Sequence, residues 1–113
     1  MKKIVEQSAI PRRVLKNGIN VPAVGLGTLG SHKYKAAQRS NAVYGGIKAG
    51  YRMIDCASVY QNEDRIGEVL ERVQQEGIAK REELFVVSKV WNDMHGEGQV
   101  IRSCEKSLAD LRL

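Results

Sequence analysis

The sequence predicts an α/β fold: an amino-terminal β-hairpin, then three strand–helix units with parallel strands. Three observations carry this reading. An Asn17-Gly18 pair stands between two short apolar segments. Short apolar runs then alternate with stretches of helical periodicity. The distance from Met53 to Leu84 matches the ~30 residues of one strand–helix–strand unit.

The elements follow in order. Residues 1–11 read as a flexible lead-in. Arg13–Lys16 and Asn20–Val24 flank Asn17-Gly18, a strong hairpin signal because both turn positions can take positive φ. Pro22 fits such a strand only at an edge or an end, so the hairpin reads as a lid or plug rather than central sheet. Gly25–Thr28 is a short strand with a turn. A loop through Ser31–Lys35 leads to a weak helix over Ala36–Lys48, with Val43 and Ile47 at i and i+4. Gly45 and Gly46 inside it each cost about 1 kcal/mol relative to alanine. Either close packing compensates or the helix frays. Gly50 serves as its carboxyl-terminal cap.

Arg52–Asp55 reads as a strand ending in a carboxylate. The clearest helix starts at Asn62 as cap, with Glu63 and Asp64 favouring its positive end. Ile66, Val69, Leu70 and Val73 form one apolar face, and Gly77 closes the helix. Leu84–Ser88 is a continuous apolar run suited to a strand buried on both sides. A third helix over Gln99–Leu111 places Ile101, Cys104, Leu108 and Leu111 on one side.

Bulk properties narrow the function. The 113 residues are 42% hydrophobic, which suits a folded segment rather than a disordered one. Net charge is +5. The basic residues are scattered rather than gathered on one stripe, and aromatics make up only 5%. That argues against nucleic-acid binding and for no more than a mild attraction to anionic ligands. Cys56 and Cys104 match no C-x-x-C pattern and read as small buried side chains of a reducing compartment. The first residues lack the apolar run of a signal peptide, and no stretch approaches a membrane span. The expected location is the cytoplasm, with no membrane partner and no metal.

Chemistry gathers around three residues. Asp55 ends one strand and Lys89 ends the next, and functional groups of parallel sheets collect at the carboxyl ends of strands. Adjacent strands lie about 4.8 Å apart, so the ammonium and the carboxylate can meet if the strands are neighbours. Tyr60 lies in the loop at the same rim. A tyrosine hydroxyl, with a pKa near 10, is a poor acid at neutral pH. A nearby ammonium favours the phenolate and makes the phenol a usable general acid. Asp55 would hold Lys89 in place and charged.

Here the sequence resembles a known family. Gly50-Tyr51-Arg52-Met53-Ile54-Asp55-Cys56-Ala57-Ser58-Val59-Tyr60-Gln61-Asn62-Glu63-Asp64-Arg65-Ile66-Gly67 is similar to the aldo-keto reductase signature. Arg81–Trp91 resembles a second stretch of that family. Asn17-Gly18, Val21-Pro22 and Gly25-Leu26-Gly27-Thr28 resemble its hairpin and first strand. The likeness runs from Arg13 to Leu113 and is nearest the aldose reductase-like branch. It implies a (β/α)8 TIM barrel, of which this chain holds the hairpin and the first three βα units. It implies NADPH-dependent reduction of small aldehydes and ketones, by an enzyme that is a monomer at full length. Tyr60 would donate the proton, Lys89 would tune it and Asp55 would order Lys89. Gly27, Thr28 and Asp55 would lie near the nicotinamide ribose. Val59, Tyr60, Trp91 and Leu29 would line the substrate pocket.

Two departures stand out. Leu29 occupies the place where the family commonly has tryptophan. The family's catalytic histidine belongs to a fourth strand, and at 113 residues the chain falls well short of the about 250 of a whole barrel. The expectation is therefore a proton-donating half-site with little turnover on its own.

Plainer readings compete. Asp55 and Lys89 can be a structural ion pair, Tyr60 an ordinary rim tyrosine, and Trp91 packing as well as pocket wall. His32 and His95 sit in loops without a partner at ligand spacing. Gly25–Gly30 fits G-x-G-x-x-G, but a dinucleotide-binding helix should open at the third glycine, and Ser31–Lys35 looks like a loop. The alternative function is a non-catalytic barrel fragment that binds or regulates, with open sheet edges and apolar helix faces.

Overall fold

The computed structural model describes residues 5–29 and 34–113. The hairpin strands are β1 (Arg12–Val14) and β2 (Asn20–Pro22). Then come β3 (Gly25–Gly27), α1 (Ala36–Ala49), β4 (Met53–Asp55), α2 (Glu63–Gln75), β5 (Phe85–Val87) and α3 (Gln99–Leu111). Single 3-10 turns lie at Gln7–Ala9, Ser58–Tyr60, Arg81–Glu83 and Asn92–Met94. The first of these falls inside the expected lead-in. β1 and β2 pair antiparallel as a separate two-stranded sheet, while β3, β4 and β5 form a parallel sheet in that order. The structure thus has the α/β order that the sequence predicts.

The hairpin turn differs from its expected form. Leu15 N–H donates to Ile19 O and Gly18 N–H to Leu15 O, both at 2.8 Å, so the loop holds three residues. Only Gly18 of the Asn-Gly pair has a positive φ, +87°. Asn17 acts instead through its side chain, accepting Ile19 N–H at 3.1 Å. A left-handed glycine closing a three-residue loop is the next commonest hairpin solution.

The core sits where α1 and α2 cover β4. Val43 and Ile47 of α1, Ile54 of β4 and Ile66, Val69, Leu70 and Val73 of α2 are all buried in it. Gly50 takes φ +119° at the end of α1, and Gly77 takes +72° after α2, as caps require. The two glycines inside α1 part company. A Cβ at Gly46 would come within 2.6 Å of Leu26 Cδ2, whereas one at Gly45 meets nothing. Close packing accounts for the first and not the second. At the amino ends of the strands Arg52 is buried. It donates to Ile47 O at 2.7 Å and Tyr51 O at 2.9 Å, and it pairs with Glu83 at 3.7 Å. That guanidinium joins the end of α1 to the approach to β5.

Three expectations need correction. β5 is half-buried rather than enclosed on both sides, because it is an edge of this sheet. On α3 the face turned inward is Ser103, Ser107 and Leu111. Ile101, Cys104 and Leu108 of the expected apolar face are exposed. The physical reason is close approach: a Cβ at Gly67 of α2 would fall 2.0 Å from Asp110 O of α3, and small serines suit such a contact. Lastly, Asn62 stands at the cap position of α2 but makes no capping bond with its side chain.

Candidate active site

The parallel register sets Gly27, Asp55 and Val87 side by side at the carboxyl ends of β3, β4 and β5. The loops that leave this rim carry Thr28, Tyr60 and Lys89. Thr28 gives both its N–H and its hydroxyl to Asp55 O, each at 3.0 Å, and fixes the end of β4. Cys56 N–H donates to Val87 O at 2.6 Å and joins β4 to β5 one step further. Two residues past β5, Lys89 turns its side chain back over the rim.

The Lys89 ammonium meets three oxygens, matching its three donors. It lies 2.6 Å from Asp55 Oδ1, 2.9 Å from Cys56 O and 3.5 Å from the Tyr60 hydroxyl. The contact to tyrosine is the loose one. Lys89 also stands 5.3 Å from the centre of the Tyr60 ring. The side chains of Lys89 and Asp55 are both about half exposed, so this cluster opens to solvent. The hydrogen bond that Lys89 donates to Asp55 is the main cause that raises the Lys89 pKa. Desolvation opposes it, and Tyr60 adds to it.

Tyr60 is delivered by the 3-10 turn Ser58–Tyr60, which ends at Gln61 in the left-handed region, φ +56°. A non-glycine residue there is strained, and such strain concentrates at functional loops. Side chains anchor this loop to its neighbours. Ser58 Oγ donates to Lys89 O at 3.3 Å, and Asn62 Nδ2 donates to Thr28 O at 3.0 Å. Glu63 is buried and accepts Ser88 Oγ at 2.7 Å and Ser107 Oγ at 2.8 Å.

The structure therefore brings Asp55, Tyr60 and Lys89 together, but it spreads the remaining predicted residues over separate surfaces. Val59 and Trp91 share a cleft of about 730 Å³ with Asn62 and Arg102. Leu29, two-thirds exposed, lines another of about 370 Å³ with Gly27, Thr28 and Tyr34. Neither cleft is lined by Lys89, Tyr60 or Asp55. Gly27 is exposed and a Cβ there would meet nothing, while Thr28 is buried. Cys56 is buried beside Thr28, and burial pushes its thiol up to about 11. Cys104 is exposed, against expectation. His95 is exposed, with Nε2 3.5 Å from Val90 O, and His32 lies outside the described residues. Among the described residues no group of three or more His, Cys, Asp or Glu could hold a metal ion. Among these residues no helix is long and apolar enough to cross a membrane either. α1 begins at Ala36, and Gly30, the third glycine of the glycine-rich stretch, lies outside the described residues.

Sequence reasoning missed Glu63, Ser88 and Ser107 as a connected group. Glu63 read only as a charge favouring the start of α2. The one available signal was the four-residue spacing of Ser103, Ser107 and Leu111, which marks a narrow inward face of α3.

The aldo/keto reductase family model matches residues 23–113. This chain belongs to the aldo/keto reductase family. It is 40% identical over 99 residues to the NAD(P)H-dependent D-xylose reductase of Pachysolen tannophilus, covering 88% of this chain and 30% of that protein. Aldose reductase B of Dictyostelium discoideum is 45% identical over 94 residues, covering 83% and 30%. A Bombyx mori aldo-keto reductase solved in complex with NADP superposes with a TM-score of 0.86 at 39% identity, covering 92% of this chain and 35% of that one. The chain spans about a third of the length of these relatives. Its fold is the hairpin and the first three strand–helix units of a reductase barrel.

Proposed function

We propose that this reductase segment supplies the proton-donating half of an NADPH-dependent reduction of small aldehydes and ketones. The observation that carries the reading is the Lys89 ammonium, set 2.6 Å from Asp55 and 3.5 Å from the Tyr60 hydroxyl at the open rim of the sheet. Tyr60 gives its hydroxyl proton to the carbonyl oxygen of the substrate. The adjacent ammonium stabilises the phenolate left behind, and Asp55 keeps that ammonium oriented. Support for the carbonyl substrate and for the cofactor comes from relatives described as D-xylose and aldose reductases and from one solved with NADP.

The rim fits the nicotinamide end of such a cofactor. Gly27 leaves open space beside the strand end, which allows close approach to the backbone. The Asp55 carboxylate beside it is half exposed and can accept from a ribose hydroxyl. Thr28 has already committed its N–H and O–H to Asp55 O, so it offers only the lone pairs of its hydroxyl. When bound, the cofactor supplies hydride to the carbonyl carbon. Val59, Trp91 and Leu29, all partly exposed, are the substrate-facing residues of this reading.

The test is a graft. Residues 23–113 replace the matching segment of the Pachysolen tannophilus D-xylose reductase, and NADPH oxidation with D-xylose is followed. The graft turns over, and Tyr60→Phe lowers kcat about 10²–10⁴-fold, the range of a lost general acid, while NADPH binding by fluorescence persists. An inactive graft, or an undiminished Tyr60→Phe rate, refutes the reading.

A further inference from the structure

Tyr60 and Lys89 belong to different loops, so their spacing must be held by something other than the chain between them. Two side chains flanking Tyr60 reach the residue pair Ser88-Lys89. Ser58, two positions before it, donates to Lys89 O at 3.3 Å. Glu63, three positions after it, accepts from Ser88 Oγ at 2.7 Å through Oε2. The other Glu63 oxygen accepts Ser107 Oγ of α3 at 2.8 Å.

Glu63 is only 4% exposed. A charge that merely favoured the start of α2 would work as well in solvent. A buried carboxylate is costly unless it is hydrogen-bonded, and here both oxygens are supplied by serines. Among the described residues Glu63 forms no salt bridge. Its contacts lead instead to the residue that carries Lys89. We infer that Glu63 is a positioning residue, which through Ser88 holds Lys89 at its distance from Tyr60. It acts from behind the rim and touches neither substrate nor cofactor. This inference rests on the reading of Tyr60 and Lys89 as the proton-donating pair.

Two serine variants separate positioning from plain packing. Ser88→Ala removes only the link toward Lys89, and Ser107→Ala only the link toward α3. Each leaves one Glu63 oxygen without its serine. Kinetics are measured in the xylose reductase graft. The Lys89 ammonium is titrated in the 113-residue chain itself by ¹³Cε NMR. In Ser88→Ala kcat falls about tenfold, the scale expected for a small misplacement of a catalytic group, with KM little changed. The Lys89 midpoint drops toward the ordinary lysine value. In Ser107→Ala the Tm falls, while kcat and the Lys89 midpoint stay. Glu63→Gln, which keeps two polar atoms, retains most of the rate, and Glu63→Leu does not. If Ser88→Ala fails to fold, Ser88→Cys, similar in size and a poorer donor, shows the same changes at reduced strength. Equal losses in the two serine variants, or an unmoved Lys89 signal with the Ser88 link removed, overturn the proposal. If Tyr60→Phe leaves the graft unaffected while loss of the Ser88 link still moves Lys89, the reductase reading fails and the positioning stands.

Discussion

At the scale of single residues, the Asp55–Lys89 pair has a consequence that depends on pH. The folded chain raises the Lys89 pKa above the ordinary 10.5, mainly through the hydrogen bond to Asp55. The folded form therefore holds this proton more tightly than the unfolded chain does. The pair's contribution to stability is full below about 10.5 and is lost as pH rises through the higher folded value. Both side chains are about half exposed, so solvent screening keeps that contribution small. Asp55→Asn should lower the Lys89 midpoint measured by ¹³Cε NMR. A midpoint that does not move would remove Asp55 as the main cause. The residue types at this site were legible in the sequence, because a strand-end acid, a rim phenol and a strand-end lysine are chemically specific. Glu63 was not: its sequence position explains a helix start equally well, and only its burial against Ser88 and Ser107 shows otherwise.

At the scale of elements, three glycines in helices make opposite demands. Gly45 faces open space on α1, so Gly45→Ala should gain the helix propensity of alanine, about 0.5–1 kcal/mol. Gly67 on α2 lies against the α3 backbone at Asp110. Gly67→Ala must push the helices apart and should cost about 1–3 kcal/mol, as overpacked cores do. Urea unfolding of both variants measures this, and equal midpoint shifts of the same sign would contradict it. Gly46 is intermediate, because the atom in its way is the movable end of the Leu26 side chain. Helical periodicity located α2 and its buried face correctly. It misjudged the inward face of α3, since a period counts apolar residues and cannot see that α2 offers Ser107 a buried carboxylate, Glu63.

At the scale of the whole molecule, the parallel sheet has β3 and β5 as its edges, and α3 turns Ile101 (65% exposed) and Leu108 (43% exposed) to solvent. A groove of about 220 Å³ runs beside them, lined by Val86, Val90, Cys104 and Leu108. Exposed apolar surface of this kind binds hydrophobic dyes. The chain should therefore enhance the fluorescence of anilinonaphthalene sulfonate under native conditions, and Leu108→Lys should weaken the signal. Equal fluorescence from the two proteins would show that this stripe is covered in solution.

The sequence by itself determined the order of elements, the family and the three chemical groups of the site. Those follow from local pattern, turn chemistry and residue type, which survive without coordinates. Tertiary structure decided the rest: that β4, which ends in Asp55, lies beside β5, so that Lys89 two residues beyond β5 reaches that carboxylate, that α3 presents serines inward, and that Val59 and Trp91 share a cleft that Leu29 does not line. Each of these depends on strand order or on the closeness of two backbones, and such distances between remote segments leave no periodic trace along the chain.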